Sequence, residues 1–174
     1  KYATGYTVTY MVMAQEALNR FEDYQRSSEL LMLANSYKND PSKYEECLRA
    51  SIKALDFNVD AWYKLIELYN NDSTKTEEDY FNLVKELSDS FLEYPLPFYQ
   101  LSALIKPKFT SNAYQFKYSL LVTSTLTKAK NYQGTDVLQP GVTRVEASYL
   151  LGLFDSTLAT FSFDGNKANK IVLS

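Results

Sequence analysis

The chain has 174 residues, a net charge of −3, no histidine and one cysteine, Cys47. That length suits one domain, or one module of a larger protein, and can bury a sizeable core. With no histidine and a single cysteine a zinc site is nearly ruled out, Ser-His-Asp and Cys-His nucleophilic centres lack a required member, and the negative charge balance gives no electrostatic reason to bind nucleic acid. With five glycines and five prolines beside fifteen tyrosines, long helices are favoured over a turn-rich β design.

The first apolar ridge runs through Tyr6, Tyr10, Met13, Ala14, Ala17, Leu18 and Phe21 at helical spacing. This N-terminal stretch lacks the basic region and uninterrupted apolar core of a signal peptide. It also lacks an initiator Met, so the expectation is a module cut from a longer protein. The polar stretch EDYQRSS reads as a separator before a second helix with Leu30, Leu33, Ala34 and Tyr37. In NDPSKYEE, Asp40 is placed to cap free backbone N–H groups and Pro41 to occupy the first turn. The third helix then presents Tyr44, Cys47, Leu48, Ser51, Ala54 and Leu55. A corner at FNVD starts a fourth helix carrying Trp62, the only tryptophan, with Leu65, Ile66 and Tyr69.

Within NNDSTKTEEDYF, either Thr74 with Glu77 or Thr76 with Asp79 suits a capping box, ahead of a helix through Leu83, Val84, Leu87 and Phe91. EYPLPF ends that helix and starts a shorter one through Phe98, Leu101 and Ile105, closed by Pro107. NAYQFKYSLLVTSTLTKAK fits a helix at Tyr114, Tyr118, Leu121 and Val122 and also alternates like a strand; its length favours helix. Beyond it, NYQGTDVLQPG reads as a loop, and Thr143 with Glu146 as a cap on a helix reaching about Leu151. TLATFSF and KIVLS read as a small C-terminal β-hairpin packed on the helix ends.

Three segments superimpose: LLMLANSY, AWYKLIELY and PFYQLSALI. Leu30, Trp62 and Phe98 each precede Leu33, Leu65 and Leu101 by three residues; Ala34, Ile66 and Ser102 follow, then Tyr37, Tyr69 and Ile105. The offset between segments is about thirty-odd residues, the period of paired-helix repeats. The stretch from Ser27 to Lys106 resembles the tetratricopeptide (TPR) family, best over Leu30 to Phe57. Leu33, Ala34 and Tyr37 stand at its first-helix Leu, small and Tyr positions, and Tyr44, Cys47, Ser51 and Ala54 at its second-helix Tyr, Ala, aromatic and Ala positions. The expected fold is therefore mainly α: stacked antiparallel helical hairpins, degenerate in repeat, with a small C-terminal β-hairpin. Ser51 in place of an aromatic, Ile66 in place of a small residue and the short corner FNVD depart from the family pattern. The two ends of the chain are also similar to helical modules of large Gram-positive cell-surface proteins that carry carbohydrate-active domains.

The resemblance implies protein or peptide binding along the face of the first helices, or positioning of neighbouring domains. Asn35, Lys38, Tyr63, Glu67, Asn70, Tyr99 and Lys106 are its candidate partner-binding residues. The family's carboxylate clamp is not reproduced: Leu31 stands at a clamp Lys position, and Lys64, Leu96 and Gln100 do not complete it. Glycan contact as an accessory module is the alternative, since tyrosine faces stack on sugars. No cofactor and no metal are expected. Glu45-Glu46 and Glu77-Glu78-Asp79 are adjacent in sequence, so they point around a helix surface and do not converge like paired catalytic acids. DSTKTEED and DGNKAN lack the ligand pattern of a calcium loop. No apolar run approaches the roughly twenty residues that span a bilayer, so membrane insertion is not expected.

Overall fold

The computed structural model describes residues 2–128, 159–164 and 167–173. Among them the chain is mainly helical, with seven α-helices: α1 Tyr2–Asn19, α2 Phe21–Asn35, α3 Pro41–Ala54, α4 Val59–Asn70, α5 Glu77–Ser90, α6 Pro95–Ala103 and α7 Asn112–Lys128. Strands β1 (Ala159–Asp164) and β2 (Lys167–Leu173) pair antiparallel, with Ala159 opposite Leu173 and Asp164 opposite Lys167. The loop and the helix expected between Asn131 and Leu151 lie outside the described residues. The chain divides into two units, residues 6–75 and residues 76–174 together with 1–5, a division that falls inside the stretch read as repeats.

In the first unit, α1 and α2 are separated by a single residue, Arg20, where EDYQRSS was expected to form a longer separator. That polar run forms the first two turns of α2 and not a loop. Glu22 and Asp23 sit in its first turn, where carboxylates complement the helix dipole, and Arg20 Nε donates to Asp23 Oδ2 at 3.0 Å. Residues 22–26 are exposed and Ser27 is fully buried.

Ser27 marks the seam between α2 and α3. Its hydroxyl donates to the Ser51 carbonyl at 2.7 Å, and the Ser51 hydroxyl donates to the Ser27 carbonyl at 2.7 Å. With Ala34 also fully buried, small side chains let the two helices approach closely. The start of α3 is as the sequence dictates: Asp40 accepts from the Lys43 N–H, and Pro41 opens the helix. The corner after α3 is held by Asn58, whose Oδ1 accepts from the Ala61 N–H and caps α4, while its Nδ2 donates to Ser27 Oγ at 2.8 Å. Trp62 is buried, and its indole Nε1 donates to the Asp56 carbonyl at 2.9 Å. Leu48, Leu55, Leu65, Ile66 and Tyr69 are buried with it. Fully burying an aliphatic or aromatic side chain contributes about 1.5–3 kcal/mol, so this group dominates the unit's stability.

The second unit begins with the Thr76–Asp79 capping box. Thr76 Oγ1 accepts from the Asp79 N–H, and Asp79 Oδ2 accepts from the Thr76 N–H at 2.8 Å. Thr74, the other candidate cap, is taken by Asp72, which accepts from both its N–H and its hydroxyl. Glu77 instead reaches the start of α7: one carboxylate oxygen accepts from the backbone N–H groups of Thr110 and Ser111, at 2.7 and 3.0 Å. Helices α5, α6 and α7 enclose a core of Leu83, Val84, Leu87, Phe98, Leu101, Ile105 and Tyr118. Phe109 packs on Tyr118 with ring centroids 5.2 Å apart. Two buried hydroxyls cross from α5 to α7: Ser88 lies 2.6 Å from Thr125, whose own proton goes to the Leu121 carbonyl, so Ser88 is the donor.

Candidate docking surfaces

On α4 the burial pattern separates two stripes. Leu65, Ile66 and Tyr69 face inward, while Tyr63 is 50% exposed and Glu67 is exposed one turn further on, with half-buried Asn70 ending the same stripe at helical spacing. Glu67 acts electrostatically on α3, because burial and then its carboxylate push the Tyr44 hydroxyl above its usual pKa. Tyr69 is held from two sides. Arg49 Nη2 donates to its hydroxyl at 2.7 Å, and the Lys75 ammonium lies 4.3 Å from its ring centroid.

The remaining sequence-derived candidates are placed as follows. Asn35 is the exposed last residue of α2, and Lys38 is exposed in the turn that follows. In the second unit Tyr99 is half-buried on α6, and Lys106 is half-buried in a 3-10 turn, where desolvation pulls its ammonium below the usual lysine range. The structure thus gathers Tyr63, Glu67 and Asn70 on one helix, and sets Asn35 and Lys38 at the far end of α2.

Two further surfaces of the first unit were not anticipated. Of the eleven exposed large apolar side chains among the described residues, eight lie between Tyr10 and Leu33, which concentrates apolar exposure on α1 and α2. Leu33 departs from the repeat expectation here. It is 46% exposed, whereas its counterparts Leu65 and Leu101 are buried, because α2 meets α3 through Ser27 and Ala34 and leaves Leu33 off the seam. An apolar groove of about 560 Å³ lies between α1, α2 and the corner before α4, walled by Met13, Tyr24, Leu31 and Met32.

A second groove, of about 480 Å³, lies on α2 and α3. Its floor is Leu30, Ala50 and Ala54, and its rim carries Arg20, Asp23, Arg26 and Lys53. Arg26 and Lys53 belong to different helices and meet only when the hairpin closes, so they form no cluster along the sequence. The pattern that could have shown it is the antiparallel pairing itself, which sets the first half of α2 beside the last turns of α3.

Five carboxylates are committed to structure. Asp40 and Asp79 cap helices, Glu45 accepts from Arg49 at 2.7 Å, Asp72 closes a turn and Glu77 holds the start of α7. Among the described residues no group of three His, Cys, Asp or Glu side chains converges to hold a metal, and no helix is long and apolar enough to cross a membrane. No family model, curated protein or solved structure matches the chain.

Proposed function

We propose that the chain is a non-catalytic helical-repeat module, a degenerate relative of tetratricopeptide-like hairpin stacks, that mediates protein association or positions neighbouring domains. The observation that carries this reading is the matched burial at repeat positions of α4 and of α6 with the residues just after it. Trp62, Leu65, Ile66 and Tyr69 are buried, and so are Phe98, Leu101, Ser102 and Ile105. The same spacing therefore does the same packing work twice, and it leaves Tyr63 exposed beside it. In this reading the helical hairpins are followed in sequence by a small β-hairpin of β1 and β2.

Exposed tyrosine favours association because it brings a large contact area with little rotamer entropy to lose. The test is retention of partners from an extract of the source organism on the immobilised chain, followed by affinity measurement with each purified partner. Tyr63→Ala with Glu67→Ala is expected to weaken binding by about tenfold or more, about 1.4 kcal/mol, at unchanged thermal stability. Equal affinity of the variant for every partner would remove this stripe as the docking face.

A further inference from the structure

We infer that the α2–α3 groove is a docking site for an acidic, partly apolar peptide segment. This goes beyond the association reading above and concerns a different surface from the α4 stripe. The groove of about 480 Å³ carries three cations, Arg20, Arg26 and Lys53, against one carboxylate, Asp23, a local excess of two positive charges in a chain whose net charge is −3. Asp23 does not neutralise the whole rim, since its carboxylate is engaged by Arg20 Nε at 3.0 Å. Arg20 is further fixed with its guanidinium 5.8 Å from the Phe57 ring centroid. Arg26 and Lys53 remain, both exposed, one on each wall.

Helix dipoles do not decide the sign of this groove. Because α2 and α3 are antiparallel, the positive start of α2 lies beside the negative end of α3, and the two partial charges offset one another. The side chains that line the groove therefore set its charge, three cations against one carboxylate, with Glu22 and Glu29 lying on α2 outside that lining. The floor discriminates among anions. Leu30, Ala50 and Ala54 offer no hydrogen-bond donor, so a free phosphate would meet cations on the rim and nothing beneath. A nucleic-acid strand would need aromatic platforms for its bases, and none lines this groove. A peptide meets both demands: carboxylates at spaced positions for Arg26 and Lys53, and small apolar side chains between them for the floor. Glu46, two turns before Lys53 on α3, is exposed and bounds the acidic partner's reach along that wall.

The test uses the full chain and a fluorescently labelled peptide alternating glutamate with alanine and leucine, read by anisotropy. Saturable binding is expected, weakening as salt rises because the contributing charges are exposed and screened. Arg26→Glu with Lys53→Glu is expected to weaken binding by at least about tenfold, ~1.4 kcal/mol. Both side chains are exposed, so the double variant should keep its unfolding midpoint, and Arg26→Lys should restore most of the affinity in the Lys53 background. Absence of saturable binding overturns the proposal. So do undiminished binding by the double variant, and tighter binding of a labelled single-stranded oligonucleotide than of the peptide. None of these outcomes bears on the α4 stripe, whose test uses other residues and other ligands.

Discussion

Ser27 and Ser51 hold α2 against α3 by a reciprocal exchange, each hydroxyl donating to the other residue's carbonyl oxygen at 2.7 Å with the two hydroxyl oxygens 3.0 Å apart. Both residues are fully buried, so no water competes for these bonds. The Ser51 carbonyl also accepts the Leu55 N–H, so it keeps one partner if the Ser27 hydroxyl is removed. Ser27→Ala also removes the acceptor of Asn58 Nδ2, so it should cost about 1–3 kcal/mol in urea unfolding, the range for a buried group that loses its partner. Ser51→Phe restores the aromatic of the tetratricopeptide pattern, yet it should destabilise by about 1–3 kcal/mol or more, because the seam has no room for a ring. A stabilising Ser51→Phe would mean that the helices separate readily and that the serine pair does not set their spacing.

Adjacent residues on α4 should respond oppositely to truncation. Trp62→Ala is expected to cost roughly 3–5 kcal/mol, the range for deleting a buried large aromatic. Trp62→Phe keeps most of the packing but forfeits the bond to the Asp56 carbonyl, a further loss of about 1 kcal/mol. Tyr63→Ala, at an exposed position, should stay within about 0.5 kcal/mol of the parent. Chemical denaturation of the three variants checks all three values.

Glu77 ties the acid limb of the stability curve to α7. Burial raises its carboxyl pKa, but the Ser111 N–H and hydroxyl together with the Thr110 N–H outweigh that and leave it below the usual value. A carboxylate with a lowered folded pKa contributes stability that is present above its unfolded pKa and disappears as pH falls through the folded one. Glu77→Gln should therefore lower stability at neutral pH and flatten the loss of stability below the ordinary glutamate range. Parallel curves for variant and parent across that range would exclude Glu77 as a contributor.

Tyr118 governs the opposite limb. Burial pushes its hydroxyl far above the ordinary tyrosine range, although its bond to the Ser102 carbonyl at 3.2 Å remains in place. A raised folded pKa gives stability that is fully present below the unfolded value and is lost as pH rises toward the folded one. Ultraviolet titration through the ordinary tyrosine range should give the same absorbance change for Tyr118→Phe as for the parent, and Tyr118→Phe should make alkaline unfolding less steep. Ionisation of Tyr118 within the ordinary tyrosine range would contradict its burial.

What the sequence revealed and what it hid divide along a physical line. Local backbone chemistry was legible. Asp40 with Pro41 starts α3, Thr76 with Asp79 starts α5, and the ambiguous stretch after Phe109 is helical through Lys128. Each of these depends on residues within a turn or two of one another. The break at Arg20 was hidden because Glu22 to Arg26 suit a solvent-facing helix as well as a loop, and composition does not distinguish the two. The Ser27–Ser51 seam was half hidden for a different reason: Ser51 stands on the expected ridge of α3, but Ser27 fell in the stretch read as a separator, because hydrophobic periodicity scores serine as surface. Leu33 was misplaced by the same seam. The Arg26–Lys53 rim depends on how two helices pair, which no single stretch of sequence encodes.

Asn58 gives these arrangements a consequence for amide exchange. One side of its carboxamide is fastened to Ser27 Oγ and the other to the Ala61 N–H, so the first cap of α4 is anchored in the seam between α2 and α3. Fraying α4 from its start then requires either turning the amide away from Ser27 or carrying α2 along. The protection of the Ala61 amide should rise and fall with that of amides in the middle of α2, as one cooperative opening unit and not as a frayed helix end.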